Sequence, residues 1–227
     1  MVLLAWLKKN WLRLVVHVGA LLPLGWLLWQ VSKGLFLVDP IKEITSLTGK
    51  TALILLTLSL ACTPINTVLG YYPVIRVRRA LGLYAFFYAG MHFLTFVGLD
   101  YGFDWSLIGG AIFEQRYVVV GFTAGLILLL LALTSTRGWQ KRLRKNWKRL
   151  HRLVYLSAAL IIVHFVWLSK DWREPARYGV VVAMLLALRL PWIRAALSRT
   201  RRLAAAALSR RATAPGRLKQ PAADDTR

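Results

Sequence analysis

Residues 117–152 read YVVVGFTAGLILLLLALTSTRGWQKRLRKNWKRLHR. The first nineteen carry no charge and are long enough to cross a hydrocarbon layer of about 30 Å as a helix. The next seventeen carry eight cations, from Arg137 to Arg152, and no acid. An apolar run that ends abruptly in a block of single-sign charge is the pattern of a membrane span followed by a cytoplasmic connection.

The rest of the chain repeats it. The protein has 227 residues, 57% of them apolar, with a mean hydropathy of +0.52, yet it holds 31 Lys+Arg against 9 Asp+Glu. In a soluble domain of this size the apolar residues would exceed any core and the cations would repel one another. Segregated along the chain, the two properties define an all-α membrane protein. A nucleic-acid partner is therefore not expected, despite a pI near 11.2. The single cysteine, Cys62, lies inside an apolar run, which excludes a disulfide framework and a thiolate metal site.

Long uncharged stretches predict six spans, at about 14–32, 51–70, 80–99, 117–135, 153–169 and 178–193. The first is long enough to remain as an anchor, and no small-residue cleavage site follows it. Three segments result: a cytoplasmic N-terminus (1–13), a six-helix transmembrane domain (14–193) and a basic, partly disordered cytoplasmic tail (194–227). With the N-terminus inside, 24 of the 31 cations fall on the cytoplasmic side. The other 7 (Lys33, Lys42, Lys50, Arg116, Lys170, Arg173 and Arg177) meet an equal number of acids outside. Both termini are therefore expected in the cytoplasm, with the basic loops against anionic lipid. Most of the ten Trp residues sit near predicted span ends, as in an interfacial belt.

No loop is long enough to hold an enzyme domain, so chemistry must reside among the polar residues inside the bundle. His92 lies 13 residues after Arg79, roughly 20 Å deep at the helical rise. His164 lies 15 residues after Arg149, roughly 22 Å deep. Two imidazoles at one depth on the third and fifth spans can face each other across an apolar ligand, the bis-histidine arrangement of b-type haem. The competing reading is that each histidine hydrogen-bonds a neighbouring helix. Ala89 and Gly90 are small enough to let a macrocycle approach the third span.

His151 and His17 lie near the cytoplasmic surface. Thirteen residues separate His151 from His164, about 140° in azimuth, so both cannot point at one place. They suit two haems in line across the membrane; otherwise His151 is an interfacial histidine in a basic loop. His17 is a possible extra ligand or an interfacial residue. Arg78, Arg79 and Arg152 are placed to contact haem propionates, a flavin phosphate or anionic lipid, and Arg116 or Arg177 to do so for an outer haem.

These residues carry a resemblance. Arg78-Arg79-Ala80-Leu81-Gly82-Leu83, Ala89-Gly90-Met91-His92-Phe93, Thr134-Ser135, Trp147 through Tyr155, and His164 resemble the ferric-reductase-like transmembrane family. Asp39-Pro40 and Thr48-Gly49 fit as well. Within that family the chain is similar, over about residues 10–192, to the haem-binding membrane subunits of periplasmic protein-methionine-sulfoxide reductase systems. The resemblance implies a b-type cytochrome of the bacterial inner membrane with one or two haems. Such a subunit passes electrons from a quinol or a cytoplasmic flavin reductase to a periplasmic molybdopterin-containing reductase, and FMN is a further cofactor of the family. It also implies that His92, His151 and His164 are haem-ligand positions and that the chain is an electron-transfer subunit with no catalytic residues of its own.

Larger relatives carry two histidines on the third span; here the corresponding inner site holds Arg78 and Arg79, so an inner haem lacks an evident second ligand. The appended flavin and nicotinamide domain of those relatives has no counterpart in this sequence, so another molecule must donate. The outer loop 100–116 is the expected docking surface for the periplasmic partner. Two other functions remain: a self-sufficient reductase of ferric iron or oxygen with the same fold, and a haem-free helical scaffold or transporter.

Overall fold

The structure, a computed structural model, describes residues 2–35, 39–200 and 203, and side chains from Asn10 onward. Expectations for the rest of the tail, and for the side chains of Trp6, Lys8 and Lys9, lie outside the described residues. Every element among these is helical: α1 (Val2–Lys33), α2 (Pro40–Leu69), α3 (Pro73–Leu94), a π-helical turn (Thr95–Asp100), α4 (Trp105–Glu114), α5 (Arg116–Leu133), α6 (Arg137–Leu150), α7 (Leu153–Leu168) and α8 (Arg173–Ala187). A last helix, α9, follows at Pro191–Thr200. Four helical segments are long and apolar enough to cross a membrane, six if each bent pair (α6 with α7, α8 with α9) counts as one span.

Local sequence sets the ends that matter. Asp39 caps α2, its carboxylate accepting the N–H of Lys42 at 3.0 Å, and Pro40 occupies the first turn, where its missing N–H costs nothing. Gly70 ends α2 at φ 71°, donating its N–H to Asn66 O, and Pro73 opens α3 almost at once. The result is a tight antiparallel hairpin of α2 on α3. A second antiparallel pair, α5 on α7, is joined by the basic helix α6. That helix buries no residue, turns at Arg144 (φ 47°) and bends 50° into α7. A face of cations with nothing packed on it belongs in the headgroup layer.

The helices exceed the predicted spans. α2 begins eleven residues before its predicted span, and those extra turns carry Thr45 and Gly49. The predicted sixth span does not run straight to 193: α8 stops at Ala187, and Pro191 opens α9 at 74° to it. The loop 100–116 contains α4, capped by Asp104 and exposing Trp105 and Phe113.

The core is a narrow seam of Leu56, Leu60, Leu81, Ala85, Tyr88, Leu128, Ala158 and Val182. Outside it large apolar side chains are bare, as at Leu22 (64% exposed) and Val180 (68%), the inverse of a soluble protein and the expected surface toward lipid.

Two internal prolines interrupt backbone ladders, and side chains from other helices bond the backbone beside them. Beside Pro23 of α1, the buried Tyr88 hydroxyl of α3 accepts from Leu24 N–H at 3.0 Å and donates to Ala20 O at 2.6 Å. Leu24 N–H and Ala20 O are an i, i−4 pair of α1, so the phenol bonds both members of one ladder step. Pro64 of α2 has no N–H for Leu60 O, and Arg189, just past α8, donates to that carbonyl instead.

Candidate functional site

His92 projects from α3 and His164 from α7, and their ring centroids are 6.2 Å apart with planes at 88°. The common depth expected from counting is thus realised as a direct encounter. Each ring is fixed from behind in the same way. His92 Nδ1 is 3.0 Å from Thr45 O on α2, and His164 Nδ1 is 2.7 Å from Tyr117 O on α5. A carbonyl only accepts, so Nδ1 carries the proton in both rings, and a neutral imidazole then keeps its free lone pair on Nε2. Both contacts span 47 residues, so the α2–α3 and α5–α7 pairs present their histidines in one register.

One turn beyond each carbonyl stands a glycine against the ring. A Cβ at Gly49 would come within 3.0 Å of His92 Nδ1, and one at Gly121 within 2.6 Å of His164 Nδ1. Any larger residue would displace the imidazoles. Gly90, singled out in the sequence, has open space where its Cβ would stand, so room exists beside His92 on its own helix. Phe93 and Phe122, with centroids 5.8 Å apart, place aromatic rings between α3 and α5.

The other two histidines are not brought to this pair. His151, at the α6–α7 bend, lies with its ring 4.1 Å from that of Trp147 and its Nε2 3.3 Å from Thr134 Oγ1. Thr134 gives its hydroxyl hydrogen to Leu130 O, so it accepts from His151, whose free nitrogen is then Nδ1. Trp147 also donates to Thr134 O at 2.9 Å, a structural bond in addition to its expected place in the interfacial belt. His17 is exposed on α1 with its Nδ1 2.8 Å from the Tyr84 hydroxyl. Of the three arginines expected at an anion, Arg78 turns inward to Thr63 Oγ1 at 3.3 Å, while Arg79 and Arg152 are exposed. Among the described residues no cluster of three or more His, Cys, Asp or Glu could hold a bare metal ion.

The sequence alone does not single out Gly121, Tyr88 or Arg189, and it marks Gly49 only within the Thr48-Gly49 pair of the resemblance.

Fold and site together define a class: a multi-helix membrane protein with two inward-facing, pre-oriented imidazoles from separate helical hairpins. Residues 48–162 match the family described as ferric reductase like transmembrane component. The chain is 46% identical over 193 residues to the protein-methionine-sulfoxide reductase heme-binding subunit MsrQ of Xanthomonas euvesicatoria pv. vesicatoria, covering 82% of this chain and 88% of that one. It is 46% identical to the same-named protein of Xanthomonas axonopodis pv. citri (78% and 84% covered) and 39% identical to that of Cronobacter sakazakii (82% and 94%). The chain belongs to the ferric-reductase-like transmembrane family and groups within it with these MsrQ subunits.

Proposed function

We propose that this protein is a haem-binding electron-transfer subunit that serves a methionine-sulfoxide reductase. The observation that carries the reading is the His92–His164 pair. The ring centroids, 6.2 Å apart, leave space for one metal atom between two imidazole nitrogens, so His92 and His164 are the residues that would hold a haem iron. The Nδ1–carbonyl bonds fix tautomer and direction, as second-shell partners of metal-bound histidines do, and the glycine-lined backs of both rings hold them in position. The residues present therefore fit the group that the relatives' names specify.

A haem held here supplies a one-electron carrier within the bilayer. The chain's own residues orient the ligands, exclude water with Phe93, Phe122 and the surrounding aliphatic side chains, and set the local dielectric. No proton transfer or nucleophile is required of them. A second haem nearer the cytoplasm would take His151 through Nδ1.

In the complete reading there are six spans, with both termini in the cytoplasm of an inner membrane. In this reading the donor is a quinol or a cytoplasmic flavin reductase, the acceptor is a periplasmic molybdopterin-containing partner docked on the 100–116 segment, and His92 and His164 would hold the b-type haem that links the two. FMN, with its phosphate near Arg78, Arg79 or Arg152, is the additional cofactor of this reading.

A pyridine haemochrome count on the wild type and on the four His→Ala variants tests it. His92→Ala and His164→Ala lose the outer haem, His151→Ala loses only a second haem, and His17→Ala loses none. Purified protein without b-type absorbance, or full haem in His92→Ala and His164→Ala, overturns the reading. Reduction of ferric iron or oxygen at full rate without the periplasmic partner would favour the self-sufficient reductase.

A further inference from the structure

Far from the imidazole pair, a cavity of about 210 Å³ opens between α2, α3, α7 and the α8–α9 bend, lined by Thr63, Thr67, Arg78, Tyr155, Arg189 and Arg194. Arg78 precedes His92 by fourteen residues on α3, about 21 Å along the axis, so the cavity lies near the opposite end of the bundle. Haem propionates centred on His92 and His164 do not reach it.

The cavity is rich in donors and poor in acceptors. Three guanidinium groups line it, and among the described residues no carboxylate lies within ion-pair distance of any of them. Arg189 spends one nitrogen on Leu60 O and another on the Tyr155 hydroxyl at 2.8 Å, and its Nε is buried without a partner. Tyr155 accepts from Arg189 and Thr63 accepts from Arg78, so each hydroxyl keeps its own hydrogen for a further acceptor. Repairing the Pro64 break requires only one nitrogen of Arg189. It does not account for Arg78 or for Arg194. Cations at a membrane protein's edge with no carboxylate beside them call for an anion with several oxygens.

We propose that this cavity is a binding site for a phosphate group, held by Arg78, Arg189 and Arg194 with the Thr63 and Tyr155 hydroxyls. Guanidinium forks and hydroxyls match a tetrahedral oxyanion. At about 30 Å³ per water-sized group the space admits roughly seven such groups, more than the five heavy atoms of phosphate, so the first atoms of an ester also fit. The phosphate is either that of a soluble monoester or that of a lipid headgroup. The site is independent of the His92–His164 assignment, though Arg78 is also near His151, and it replaces Arg79 and Arg152, which are exposed, with Arg189 and Arg194.

The test uses the full-length protein in maltoside detergent, which carries no phosphate, at constant ionic strength. Thermal unfolding is followed during titration with inorganic phosphate and, separately, with phosphatidylglycerol in mixed micelles. A saturable rise of about 5–10 °C at a hundredfold excess over Kd is expected from at least one of them. A response to inorganic phosphate identifies a soluble source, and a response to the lipid alone identifies a headgroup. The rise is abolished in Arg189→Gln and weakened at least tenfold in affinity in Arg194→Gln. Arg194 is exposed and makes no bond that the fold needs, so its variant remains informative if Arg189→Gln fails to fold. No saturable rise from either ligand, or a rise that Arg194→Gln retains at full affinity, overturns the proposal.

Discussion

Gly121 lies directly behind His164: a Cβ there would stand 2.6 Å from Nδ1 and 2.8 Å from Cε1 of the imidazole, well inside van der Waals contact. The ring is already committed to Tyr117 O on the same helix, so it cannot yield without losing that bond. Gly121→Ala is therefore expected to rotate His164 away and weaken haem binding by about 10–100-fold, the usual cost of disturbing a ligand's second shell. Gly49→Ala, with its nearest contact at 3.0 Å, is expected to cost less than tenfold and to shift the reduced absorbance rather than abolish it. Haem per protein in purified material ranks the two variants; equal, wild-type occupancy in both would show that the glycines do not position the ligands.

Tyr88→Phe isolates a different link, from buried polar satisfaction to stability. The hydroxyl sits between Leu24 N–H and Ala20 O, beside Pro23, in a seam where no solvent can replace it. Removing it leaves a donor and an acceptor unpaired, at about 1–3 kcal/mol. The unfolding midpoint in detergent should fall while haem per folded protein stays constant, since Tyr88 faces α1 rather than the imidazoles.

How far the sequence reveals such features depends on their range. Spans were legible because hydropathy is a local sum, and the meeting of His92 with His164 was legible because rise per residue converts position into depth. The glycines behind the rings were not: a glycine in a membrane helix is common, and only the register between α2 and α3, or α5 and α7, shows which one faces a ligand. Likewise Pro64 announces an orphan carbonyl at Leu60, four residues back, but nothing local reveals that the donor is Arg189, 129 residues away. The α8–α9 bend escaped the hydropathy scan because the apolar residues continue past Ala187 while the helix does not.

Topology yields a prediction that needs no cofactor. Cys62 is the single cysteine and is buried, so Cys62→Ser gives a silent background. Introduced cysteines at Ser106 on α4 and Lys145 on α6 then report the two faces. With both termini in the cytoplasm, a membrane-impermeant maleimide labels Ser106→Cys in intact spheroplasts and labels Lys145→Cys only after permeabilisation. The reverse pattern would overturn the proposed placement of both termini in the cytoplasm.

The Pro64–Arg189 relationship can be measured as a coupling. Arg189→Leu removes the donor to Leu60 O and leaves that buried carbonyl unpaired, so it should destabilise the protein by about 1–3 kcal/mol. Pro64→Ala restores a backbone N–H four residues after Leu60, and in that background the carbonyl has its own intrahelical partner. Arg189→Leu should then cost less, and the double-mutant cycle should show a coupling of about 0.5–3 kcal/mol even though the residues lie on different helices. Strict additivity would mean that Arg189 is held by Tyr155 and the cavity alone. The sign also matters for function: if Pro64→Ala stabilises Arg189→Leu but leaves phosphate binding lost, the arginine has two separable duties, one to the fold and one to an anion.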